Sequence, residues 1–209
     1  MPLIRKSSSE TAPTRAPDVP TLIAALEDGS QQERWAAARG LAKVPGAVAA
    51  LGKALGREAD ERVRLAIFTS LATISSEASL DAILPYLRSD DASLRTGALD
   101  ALRLMPGIVP GRLESLLCDP DPDVRLLACD LARDLSSQEA RSLLSNLIEV
   151  DPSVNVCAAA VDVLAEIGAP DTLPSLVRCA ARFADRPFLG FAVKVASERI
   201  GSRFPARHG

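Results

Sequence analysis

Histidine is almost missing from this 209-residue chain. The only one, His208, stands next to the last position, which removes histidine-based acid–base relays and most metal chemistry. Aromatic residues make up 3% of the sequence, and the apolar share is mostly Ala, Leu and Val, a bias toward helix and away from aromatic-rich β-sandwiches. Cysteine is scattered: Cys118, Cys129, Cys157 and Cys179 form no C-x-x-C pair, so a zinc knuckle, a thioredoxin-type motif and a dense disulfide framework are excluded. Each lies among apolar neighbours, and all four are expected to be buried structural thiols. No stretch of eighteen uninterrupted apolar residues occurs, so no membrane-spanning helix is predicted. Glycine patterns that cradle phosphates, G-x-G-x-x-G or G-x-x-x-x-G-K-[ST], do not occur. Positive charge is not in excess: 24 basic against 27 acidic residues give a net charge of −3, and no global field draws in nucleic acid or anionic lipid.

With 47% hydrophobic and 24% charged residues, the chain has the material for a buried core. Residues 1–17 mix Arg5, Lys6 and Arg15 with serines and prolines, lack the apolar run of a secretory signal, and read as a disordered tail. A soluble, cytoplasmic, all-α protein is expected.

Self-similarity sets the architecture. Asp60-Glu61-Arg62-Val63-Arg64 returns as Asp91-Ala92-Ser93-Leu94-Arg95, then as Asp121-Pro122-Asp123-Val124-Arg125, and more loosely as Asp151-Pro152-Ser153-Val154-Asn155, about thirty residues apart. After each Val or Leu, apolar or small residues recur at +4, +7, +8 and +11, the stripe of an amphipathic helix. Examples are Val63, Ile67, Ser70, Leu71 and Ile74, and Val124, Ala128, Leu131, Ala132 and Leu135. The leading Asp suits a helix N-terminus, where its carboxylate accepts from free N–H groups and meets the positive end of the dipole. Pro122 and Pro152 fit first-turn positions, where a missing N–H costs nothing. A shorter apolar segment precedes each such helix: Val19 to Glu27, Ala47 to Leu55, Leu80 to Arg88, Val109 to Cys118, Glu139 to Glu149 and Thr172 to Ala184. Six helical hairpins follow, roughly 18–45, 46–76, 77–106, 107–136, 137–168 and 169–201, with 202–209 as a C-terminal tail. In the fifth, Val156, Ala160, Val163, Leu164 and Ile167 fit the stripe better than a frame begun at Val154, so a two-residue slip is expected there.

Paired helices with D-x-x-[VL]-R opening the second resemble HEAT repeats, and the thirty-residue period with Asp119-Pro120-Asp121-Pro122-Asp123-Val124-Arg125 is similar to the short HEAT-like repeats of phycobiliprotein lyases. The resemblance covers about residues 18–201. It implies a right-handed α-solenoid with second helices on the concave side. It also implies that Asp91 with Arg95 and Asp121 with Arg125 belong to a charge ladder between repeats.

With the stripe turned to the core, position +6 faces away from it. That row reads Arg39, Thr69, Asp100, Asp130 and, in the slipped frame, Asp162. Asp134 and Glu166 join it at +10, while Arg103 and Arg133 at +9 lie one turn from Asp100 and Asp130. The row fits either a solvated helix face or a groove for a basic or mixed-charge protein segment. Phe183, Phe188, Phe191 and Phe204 are expected to plug the open C-terminal end, with a docking patch as the alternative, and Trp35 to cap the other end.

The function expected from architecture and missing chemistry is a non-catalytic scaffold or adaptor, with no cofactor, a protein partner, and an oligomeric state left open. The alternative that the resemblance implies is a lyase-like or chaperone-like role toward a bilin. DNA binding or glycosylase chemistry calls for a basic, aromatic groove, whereas this row is acidic, so nucleic acid is not an expected partner.

Overall fold

The computed structural model describes residues 18–135 and 138–204. Twelve α-helices and no strand occur among the described residues: α1 Val19–Asp28, α2 Gln31–Gly40, α3 Val48–Leu55, α4 Glu61–Ile74, α5 Glu77–Ile83, α6 Ala92–Arg103, α7 Pro110–Leu117, α8 Pro122–Leu135, α9 Gln138–Val150, α10 Val154–Ile167, α11 Leu173–Arg182 and α12 Pro187–Arg203. They form six hairpins stacked as an α-solenoid. The even-numbered helices pack on one another from α2 through to α12, and the odd-numbered helices form the second layer. The even layer is the more closely packed, as the inner side of a curved stack must be. The residues 1–17 read as a disordered tail, and residues 205–209 of the expected C-terminal tail, lie outside the described residues.

Helix starts follow the repeat motif. Asp60 caps α4 by accepting from Val63 N at 3.0 Å, and Asp91 caps α6 by accepting from Ser93 N at 2.8 Å. In the first hairpin Ser30 does the same work, closing a reciprocal capping box with Glu33 at the head of α2. Ser153 caps α10, accepting from Val156 N at 3.4 Å, and the expected slip is present: Val156, Ala160, Val163 and Leu164 are buried. The third hairpin departs from expectation. Its first helix begins at Glu77 rather than Leu80, because Ser76 caps it through Ser79 N, and it tightens to a 3-10 turn at Leu84–Arg88, where Pro85 supplies no N–H.

The core is one continuous apolar strip between the layers. Leu26, Leu41, Leu51, Leu55, Ile67, Leu71, Leu80 and Ile83 fill its first half, and Leu102, Met105, Leu113, Val124, Leu144, Val161 and Leu176 continue it. Buried Ser70 shares its one hydroxyl proton between the carbonyls of Ala38 and Ala66, both at 2.8 Å, which ties α4 to α2. Cys129, Cys157 and Cys179 are buried as expected; Cys118 is exposed, because it is the C-cap of α7 and turns out of the helix.

The expectation of an aromatic plug at the C-terminal end fails for three of its four residues. Phe183 is half-buried against the core, but Phe188, Phe191 and Phe204 are exposed. The core there is closed by Leu189, Val193, Ala196 and Ile200 of α12. Arg203 secures that helix by donating to the carbonyls of Ala165, Glu166 and Gly168. No helix among the described residues is long and apolar enough to cross a membrane.

Candidate functional site

Two charge ladders run along the inner layer. The first lies at the helix starts. Arg34 meets Glu58 at 2.7 and 3.0 Å, Arg64 meets Asp91 at 2.9 Å, and Arg125 meets Asp151 at 2.7 and 3.1 Å. Each arginine therefore reaches forward to the acid of the next hairpin. The pairing Asp91 with Arg95 does not form: Arg95 donates instead to the carbonyls of Ser89 and Asp90 in its own loop. Arg125 likewise spans from its own loop carbonyls at Asp119 and Pro120 to Asp151, not to Asp121. Asp151 is buried and, through the two-residue slip, stands where Glu58 and Asp119 stand in other repeats, accepting from Ser153 N, so that Ser153 occupies the cap position. The Arg34 guanidinium beside Glu58 holds that carboxyl below its ordinary range, and Arg64 does the same for Asp91.

The second ladder crosses the exposed inner face and joins seven of the eight residues expected as a partner site. Arg103 on α6 pairs with Asp100 at 3.0 Å and reaches across to Asp130 and Asp134 on α8, the latter at 3.5 Å. Arg133 on α8 pairs with Asp130 at 3.3 Å and reaches Asp162, at 2.8 Å, and Glu166 on α10. Hydrogen bonds to Asp162 and Glu166, in that order of weight, raise the basicity of Arg133 above its ordinary value. Five carboxylates share two guanidinium groups, so the patch carries a negative excess. Arg39 stands apart: its guanidinium lies 4.7 Å from the ring centroid of Trp35, with Arg62 at 4.6 Å from the same ring. Sequence reading placed Arg39 on the inner row but missed the Arg62–Trp35 contact, which depends on how α4 is offset against α2.

Two cavities open between neighbouring inner helices. One of about 370 Å3 lies between α4 and α6, lined by Leu65, Phe68, Leu94, Gly97 and Asp100 among others. Its counterpart between α8 and α10 is about 180 Å3, and Asp130, Arg133 and Asp162 form part of its wall. A third cavity, about 500 Å3, lies outside this face between α7 and α9, with Cys118 beside Leu117, Leu143, Leu147 and Val150. No group of three or more His, Cys, Asp or Glu side chains is placed to hold a metal ion among the described residues.

A sequence profile for HEAT repeats matches residues 19–103 and 109–187, most of the stacked hairpins. The chain belongs to the HEAT-repeat family. Solved structures similar to this HEAT-repeat protein include an engineered protein at 21% identity, covering 89% of this chain and 97% of that one with a TM-score of 0.45. Another is the complex of CpcE and CpcF of phycocyanin lyase from Nostoc sp. PCC7120, at 16% identity over 95% of this chain and 100% of that one, TM-score 0.41. A designed armadillo repeat protein in complex with peptide (KR)4 is 21% identical over 88% and 100%, TM-score 0.44. No curated protein matches the sequence.

Proposed function

We propose that this HEAT-repeat protein is a non-catalytic scaffold or adaptor that receives a basic or mixed-charge protein segment on the inner face of α6, α8 and α10. The observation that carries this reading is the ladder itself: five carboxylates around two arginines on three successive helices of the inner layer, with net negative charge on a face the fold leaves open. Such a row steers a cationic partner and fixes its register. Among the described residues, the arginines on this stretch are engaged by carboxylates, which disfavours a phosphate backbone.

The test is charge reversal. Asp100→Lys with Asp130→Lys is expected to leave helicity intact and to weaken salt-sensitive capture of protein partners by about tenfold or more, equivalent to roughly 1.4 kcal/mol. Unchanged capture moves the site away from this face.

A second reading, handling of a tetrapyrrole, rests on exposed Cys118 at the edge of the cavity between α7 and α9. Arg125, the basic side chain in that lining, is committed to Asp151 and leaves no cation for a propionate. A bilin titration followed by absorbance checks it, with no spectral shift expected.

A further inference from the structure

The inner face changes chemistry along the stack. At its N-terminal end Arg39 and Arg62 share the Trp35 ring, both are exposed, and neither makes an ion pair among the described residues. Moving along, α4 presents the uncharged Thr69 and Thr73, whose hydroxyls donate to the carbonyls of Leu65 and Thr69 in their own helix. The carboxylate row begins at Asp100 on α6.

Between these zones lies the 370 Å3 slot of α4 and α6. Its larger size has a cause in the repeat. Where α6 and α8 carry Arg103 and Arg133, the matching position of α4 is Ala72, so no arginine bridges the two helices at that level, and Arg64 with Asp91 joins them at the N-terminal edge of the slot. Where α6 carries Asp100 and α8 carries Asp130, α4 has Thr69, so Asp100 stands at the slot without an arginine reaching it from α4. Leu65 stands at the mouth with 58% of its surface exposed, while Phe68 is buried behind it.

Resting on the protein-segment reading above, we infer that the occupant is one extended peptide of mixed order: a carboxylate side chain against Arg39 and Arg62, an apolar side chain in the α4–α6 slot, and a lysine or arginine over Asp100 and Asp130. Charge complementarity selects this order. A uniformly basic segment sets like charge against Arg39 and Arg62 and leaves the slot empty, and a uniformly acidic one is repelled from α6 onward. Neighbouring helix axes lie about 8–10 Å apart, so α2 to α6 is on the order of 20 Å. An extended chain advances about 3.3 Å per residue, which separates the acidic and basic positions by roughly six residues, with the apolar one about midway between them.

Selection of a random decapeptide display library on the immobilised full-length chain tests this directly. Enriched peptides are expected to carry Asp or Glu about six residues from Lys or Arg, with an apolar residue between. By fluorescence anisotropy, Arg39→Glu with Arg62→Glu weakens the best peptide about tenfold or more, and replacing its acid by lysine restores binding to that variant. Leu65→Asp costs a similar factor. All three positions are exposed, so circular dichroism should be unchanged. Enrichment of wholly basic peptides that lose binding in Asp100→Lys with Asp130→Lys, but not in Arg39→Glu with Arg62→Glu, overturns the mixed order and leaves the acidic-face reading standing. No binder, or binders indifferent to both variant pairs, overturns the two together.

Discussion

Cys129, Cys157 and Cys179 sit in the core, whereas Cys118 faces solvent at the end of α7. Burial pushes the Cys129 thiol up to about 12, and hydrogen bonding to Cys179 together with burial raises that of Cys157. Because the thiolate is the reactive form, a colorimetric thiol titration of the native protein is expected to show one fast equivalent, removed by Cys118→Ser, with the other three appearing only in denaturant. Two or more fast equivalents in the native state would contradict the burial described here. The three core cysteines were legible from their apolar neighbours. Cys118 was not, because Leu116 and Leu117 beside it are buried while the cap position rotates the next side chain outward. The cap residues Asp60 and Asp91 were legible for the opposite reason: a carboxylate ahead of an apolar stripe has one favoured local use.

Between elements, the two ladders differ in burial and therefore in worth. Arg125 and Asp151 have side chains 12% and 2% exposed, whereas Arg133 and Asp162 are 28% and 64% exposed. Removing one partner of a buried pair costs about 3–5 kcal/mol, while an exposed pair contributes about 0–1 kcal/mol. In urea denaturation, Asp151→Ala is thus expected to destabilise far more than Asp162→Ala; equal effects would refute a stabilising role for the buried rung. The six hairpins were readable because the period repeats the same stripe, and even the fifth repeat's slip showed in its apolar spacing. What the sequence misjudged were contacts across repeats. The forward reach of Arg64 to Asp91 is set by the offset between hairpins, and the exposure of Phe188 and Phe191 by α12 already closing the core with smaller aliphatic residues.

For the molecule as a whole, each hairpin touches only its neighbours, so stability accumulates along the stack instead of through a single centre. The inner face follows the same logic: its chemistry is written one repeat at a time, from the stacked cations at Trp35 to the carboxylates of α10. The rows were legible as periodic positions; the open slot was not, since it depends on two helices being unbridged at one level. Arg103 and Arg133 act as tie-rods whose tension comes from charge. Salt shortens the reach of exposed charges from about 10 Å at 0.1 M to about 3 Å at 1 M, so these ties slacken while the apolar strip holds. A slight growth of the radius of gyration at constant helicity is expected by small-angle scattering across that range, and an unchanged value would show that the apolar strip alone sets the curvature. A guest that brings its own cation to Asp130 loosens one tie as it binds, so the coil flexes where it is occupied.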